Sequence, residues 1–151
     1  MKLTSSAFKN GEKIPKKYTC DAEEVNPPLH IEDVPHEAKS LVLIMDDPDV
    51  PEFVRKDRMY VHWVIFNIPA KVQHIAENSV PHGIFGKTTG GSLHYQGPCP
   101  PDREHRYFFK LYALDTTLTL PEGSTKAQVE KAMEGHIVAT TQLMGLYERQ
   151  G

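Results

Sequence analysis

Three stretches of the 151-residue chain carry residue types that could do chemistry together. Asp47-Pro48-Asp49-Val50-Pro51 closes an apolar run, His62 stands inside the next one, and Tyr95-Gln96-Gly97-Pro98-Cys99-Pro100-Pro101 leads into His105-Arg106-Tyr107. Each proline ring fixes φ and restricts the residue before it, so a wall built from such loops is stiff and loses little entropy on binding. The imidazole N–H groups of His62 and His105, the Tyr107 hydroxyl and backbone N–H groups near Gly97 and Cys99 would supply donors to an oxyanion. Asp47 and Asp49 would repel an anion if ionised and exposed. Their expected role is therefore to orient and charge the histidines, or to bond ligand hydroxyls and amines. On this reading phosphate affinity falls as the histidines lose their protons. Arg106, lying between two strand residues, suits an ion pair with a carboxylate of a neighbouring strand as well as it suits a ligand.

His62, His105, Asp47 and Asp49 would equally make a two-His, two-carboxylate metal site, so a metal-dependent hydrolase is the alternative reading. Other catalytic signatures fail on residue type. Gly90-Gly91-Ser92-Leu93-His94 opens like a nucleophile elbow but ends in His where that turn requires glycine. There is no HExxH, P-loop or dinucleotide-binding glycine pattern. No nucleophile–base pair calls for catalysis, and the expected function is binding, not an enzyme, with no cofactor.

A chain of 151 residues that is 39% hydrophobic and 9% aromatic supports a single domain, residues 1–151, with a real core. Net charge is −3 with mixed signs, which lacks the basic excess that nucleic acid or an anionic bilayer would attract. The longest purely apolar run, Leu41–Met45, is far too short to span a bilayer, for which about 20 residues are needed. Met1–Ser6 shows neither an apolar stretch nor a cleavage pattern, so the expected compartment is the cytoplasm.

Twelve prolines and ten glycines break the chain into short pieces and favour strands. Ser40–Met45 reads as a central strand covered on both faces, and Met59–Ile68 and Arg106–Leu114 as two more core strands. Thr125 followed by Gln128 fits a capping box, and with Val129, Ala132, Met133 and Gly135 marks one short helix. Ile137–Tyr147 suits strand or helix on local pattern alone, and Lys87–Ser92 reads as one flexible loop. Cys20 and Cys99 show no CxxC spacing, and a single bridge between them is left open.

The chain resembles the phosphatidylethanolamine-binding protein family, also called the Raf kinase inhibitor protein family, in its small bacterial and archaeal form. The likeness rests on Phe8-Lys9-Asn10-Gly11, Ile14–Asp21, Asn26-Pro27-Pro28-Leu29, Asp47–Pro51 with His62-Trp63, Tyr95–Pro101 with His105-Arg106-Tyr107, Tyr112–Asp115 and Ala132–His136. It implies an antiparallel β-sandwich with a few short peripheral helices, and it makes the C-terminal segment a strand. It also implies a small pre-formed pocket for phosphate-like anions or phosphorylated head groups, formed here by Asp47, Asp49, Pro51, Tyr60, His62, Cys99, Pro101, His105 and Tyr107. A phosphorylated protein or enzyme partner, with modulation of kinase signalling or of another enzyme, belongs to the same expectation, as does a monomer or homodimer. The chain departs from the family pattern at Arg103-Glu104, at Asn26 and at Asp21-Ala22. Cys20 and Cys99 both lie in motif stretches, which brings them near one another, while a reducing cytoplasm would oppose a standing bridge.

Overall fold

The structure is a computed structural model that describes residues 1–150. In chain order the elements are β1 (Lys2–Thr4), a 3₁₀ turn (Lys16–Tyr18), β2 (Leu29–Glu32), β3 (Ser40–Asp47), β4 (Tyr60–Pro69), β5 (His74–Ile75), β6 (Ile84–Phe85), β7 (His105–Leu114), α1 (Lys126–Met133) and β8 (Ile137–Tyr147). They form two antiparallel sheets, ordered β1-β2-β5 and β6-β4-β3-β7-β8. The protein is thus a β-sandwich with one short α-helix among the described residues.

β3 is the middle strand of the larger sheet, which explains its unbroken apolar run. Leu41, Leu43 and Met45 face the smaller sheet and join Leu3, Leu29, Ile31, Trp63, Ile65, Phe109 and Leu111 in the main core. Val42 and Ile44 point the other way and pack with Val64, Phe66, Leu114, Leu118, Val129 and Met133 under α1. Apolar residues on both faces are what a strand needs when both faces are covered. The capping box forms as expected: the Gln128 N–H donates to the Thr125 hydroxyl and the Thr125 N–H to the Gln128 side chain. Gly135, past the helix end, has φ +79°, a left-handed value at which a side chain is disfavoured. The ambiguous C-terminal segment is β8, paired along its length with β7.

The segment expected to be a flexible loop is held in place. Thr88 is buried, its N–H donates to Ser92 O and its hydroxyl to Gln96 Oε1, and Thr89 N–H donates to Val61 O. Glycine and threonine composition signals a turn, while the bonds that anchor it to Val61 and Gln96 come from outside the segment and leave no local trace.

Because the sheet is antiparallel, the end of β3 meets the starts of β4 and β7 at one edge. Asp47 pairs in register with Tyr60, and β7 opens with His105. The three sequence motifs therefore converge at one end of three adjacent strands.

Candidate functional site

At that end lies a cavity of about 420 Å³, lined by Cys20, Glu24, Asp47, Val50, Val54, Tyr60, His62, Gln96, Gly97, Cys99, Pro100, Pro101, His105 and Tyr107. A break in strand register aims His62 into it. Met45 pairs with Trp63 and Asp46 with Val61, so His62 is the extra, unpaired residue of a bulge. Without the bulge Val61 and Trp63 would share a face. With it Val61 packs under α1, Trp63 in the main core, and His62 turns to the cavity beside Tyr60 and Tyr107, with ring centroids 4.8 and 5.3 Å away.

The bulged histidine is clasped by the proline-rich loop. Gln96 N–H donates to His62 O at 3.0 Å, and His62 Nδ1 lies 2.7 Å from Gln96 O. A carbonyl only accepts, so Nδ1 carries the hydrogen and Nε2 of the neutral ring is an acceptor. Burial pushes the His62 pKa down to about 4, the Gln96 hydrogen bond opposing only in part. His62 is therefore uncharged near neutral pH, a correction to the expectation of charged histidine ligands.

His105 is committed on both sides. Its Nδ1 lies 2.6 Å from Asp47 Oδ2 and its Nε2 2.7 Å from Asp102 Oδ1, and it has no exposed side-chain surface. Neither nitrogen is left to bond a ligand, so His105 braces Asp47. The Asp47 carboxyl is held above its usual range by burial, with the Asp49 N–H and His105 pulling the other way. Burial raises the Tyr107 phenol too, and the neighbouring Asp47 adds to the effect.

Asp49 and Pro51, both expected at the pocket, do not line it. The Asp49 carboxylate takes the Arg106 Nε and Nη2 at 2.9 and 2.8 Å and the Arg106 N–H at 2.9 Å. That bidentate pair holds the Asp49 carboxyl below its usual range and settles Arg106 as a structural partner. The four residues considered for a metal do not converge, since Asp49 is turned away and His105 is spent. Among the described residues no group of three His, Cys, Asp or Glu is placed to hold a metal ion.

Cys20 and Cys99 are joined by a disulfide with Cα atoms 5.5 Å apart, so the bridge opposed by the cytoplasmic expectation is present. It ties the segment after the 3₁₀ turn to the proline-rich loop, and both cysteines stand in the cavity wall. Beside it the Cys20 N–H donates to Pro98 O and the Tyr95 hydroxyl to Tyr18 O.

The sequence model of the family described as phosphatidylethanolamine-binding protein matches residues 4–148. The chain belongs to this family. A crystal structure of a phosphatidylethanolamine-binding protein homologue from Chlamydia trachomatis is 51% identical, covers 98% of this chain and 97% of its own, and superposes with a TM-score of 0.96. Escherichia coli YbcL, described as a member of the mammalian family, is 28% identical, covers 99% and 98%, and gives a TM-score of 0.88. A protein of Methanothermobacter thermautotrophicus named only UPF0098 is 48% identical over 99% of both chains. Seven of the nine residues carried over from the family pattern, Asp47, Tyr60, His62, Cys99, Pro101, His105 and Tyr107, line the cavity of this family member. Sequence reasoning missed Glu24 and Val54, which reach it from loops whose local composition signals nothing. No helix of the structure is long and apolar enough to cross a membrane.

Proposed function

We propose that this family member is a non-catalytic binding module that takes up a small phosphoryl group bearing a single negative charge, either a protonated monoester or a diester. The observation that carries the reading is the charge of the cavity wall: no Lys or Arg lines it, His62 is neutral, Asp47 is already matched to His105, and Glu24 adds a carboxylate bonded only to the Gly97 N–H among the described residues. Such a wall has nothing to balance a dianion, whereas a monoanion asks less of it: a protonated monoester can donate its hydrogen to His62 Nε2, and a monoester or a diester can accept from tyrosine hydroxyls. The size of the cavity suits a head group, and the family name supports the class of ligand. The lining offers no free thiol, serine or lysine to act as a nucleophile, which supports binding over turnover.

The proline-braced walls and the disulfide support a pocket formed before the ligand arrives, so little ordering accompanies binding. Presented on a protein, the same phosphoryl group would make the pocket a docking point for a phosphorylated partner, through which an enzyme could be modulated. The test is calorimetric titration with inorganic phosphate and with sulfate from pH 5.5 to 8.5. Phosphate affinity should fall as its second proton is lost, near pH 6–7, while sulfate, a dianion with no proton to donate across this range, should bind weakly at every pH, and His62→Ala should abolish phosphate binding. Parallel pH profiles for the two anions would place the titrating group on the protein and overturn the reading.

A further inference from the structure

On the small sheet, away from the cavity, two histidines are placed for chemistry that anion binding does not use. His30 of β2 and His74 of β5 stand directly opposite one another across antiparallel strands. Ile31 N–H donates to Gln73 O at 2.9 Å, one residue further along each strand. His30 and His74 are therefore the non-hydrogen-bonded pair of the ladder, the kind whose side chains come closest. Leu29, Ile31 and Ile75 beside them are buried in the core, and the strand alternation turns both imidazoles outward to solvent. Their ring centroids are 4.7 Å apart, with the planes inclined at 44°. The rings of His62, His105 and His136 are bonded within the protein. Neither His30 nor His74 has a hydrogen-bond or ion-pair partner among the described residues, so their ring nitrogens are free.

Two imidazole nitrogens that share one metal ion at about 2.0–2.1 Å each stand roughly 3 Å apart. Rings with centroids 4.7 Å apart reach that spacing by a small rotation about χ2, a torsion with broad minima in histidine. Strand pairing already fixes the two Cβ atoms, so chelation orders little else. Imidazole ligands without thiolate suit copper(II), nickel(II) and zinc(II), with copper(II) held most tightly. We propose that His30 and His74 form a chelating surface site for a divalent transition metal, copper(II) ahead of zinc(II), with water in the remaining positions. Water completes the site because no third His, Cys, Asp or Glu among the described residues is placed to join. Neither histidine lines the cavity, so the site stands independently of the phosphoryl reading.

The test is calorimetric titration of the whole chain at pH 7.5 with copper(II) chloride and with zinc(II) chloride, and electron paramagnetic resonance of the copper complex. Wild type is compared with His30→Ala, His74→Ala, the double variant and His36→Ala, which removes an exposed histidine elsewhere. All four substitutions lie at exposed positions, and circular dichroism confirms that each variant keeps the fold. Wild type should take up one copper ion at this site, more tightly than zinc, with two nitrogen donors in the spectrum. Each single substitution at the pair should weaken copper by about tenfold or more, because the second imidazole binds at high effective concentration. The double variant should lose no more than either single one, and His36→Ala should match wild type. Copper affinity unchanged in the double variant means an adventitious ion only and overturns the site. Single variants that each lose one weakly bound ion, without weakening the other, show two separate histidines and overturn it as well.

Discussion

Removing the Cys20–Cys99 bridge should cost stability mainly through the unfolded chain. The two cysteines are 79 residues apart in sequence. In the chain-entropy account, closing a loop of that length removes about 15 cal/mol/K from the unfolded state, or about 4.5 kcal/mol at 25 °C. The native state has little reason to change, because the Cys20 N–H to Pro98, Tyr95 hydroxyl to Tyr18 and Gly97 N–H to Glu24 hydrogen bonds tie the same two segments. A chain of 151 residues unfolds with an entropy of about 0.32 kcal/mol/K, so the melting temperature should fall by roughly 14 °C. The assay is scanning calorimetry of the oxidised protein, the reduced protein and a Cys20→Ser, Cys99→Ser variant. A fall below about 4 °C in both thiol-free forms would refute the reasoning and show that the unfolded chain already keeps these segments together.

His62 should make the protein acid-labile. Its folded pKa of about 4 lies below its unfolded value of 6.5, so its contribution is fully present above pH 6.5 and is lost as pH falls toward 4. Urea titrations should show wild type losing on the order of 3 kcal/mol more than His62→Gln across that window; equal losses would contradict a buried neutral imidazole. Asp46, wholly buried, takes Lys110 Nζ at 3.0 Å and Lys126 Nζ at 2.8 Å through Oδ2, so Asp46→Ala should cost about 3 kcal/mol by chemical denaturation. A cost below about 1 kcal/mol would mean that the two ammonium groups simply turn to water. Gly97→Ala places a Cβ 2.5 Å from Tyr18 O, a backbone atom that cannot yield, and should cost about 2 kcal/mol and weaken phosphate binding; a variant as stable as wild type would show that the loop moves freely.

Residue order alone was enough to read the long strands, since the apolar run of β3 and the proline ending β4 are local signals. The small sheet was not legible: β1, β2 and β5 have two to four residues each, too few for a period to show, and their partners are distant. The pocket was legible as a set of motifs but not in its electrostatics. The neutrality of His62 comes from a bulge and from burial, and the loss of Asp49 to Arg106 comes from a cross-strand contact. Glu24 enters through a left-handed backbone at a position where composition carries no sign of it.

The central claim is that this cavity binds the ligand, and amide and side-chain NMR shifts on titration with O-phosphorylethanolamine at pH 6 test it most directly. The account predicts saturable shifts at Glu24, Tyr60, His62, Gln96, Gly97, Cys99 and Tyr107, all of which His62→Ala removes. Saturable shifts centred elsewhere on the molecule, or none at millimolar ligand, would contradict it.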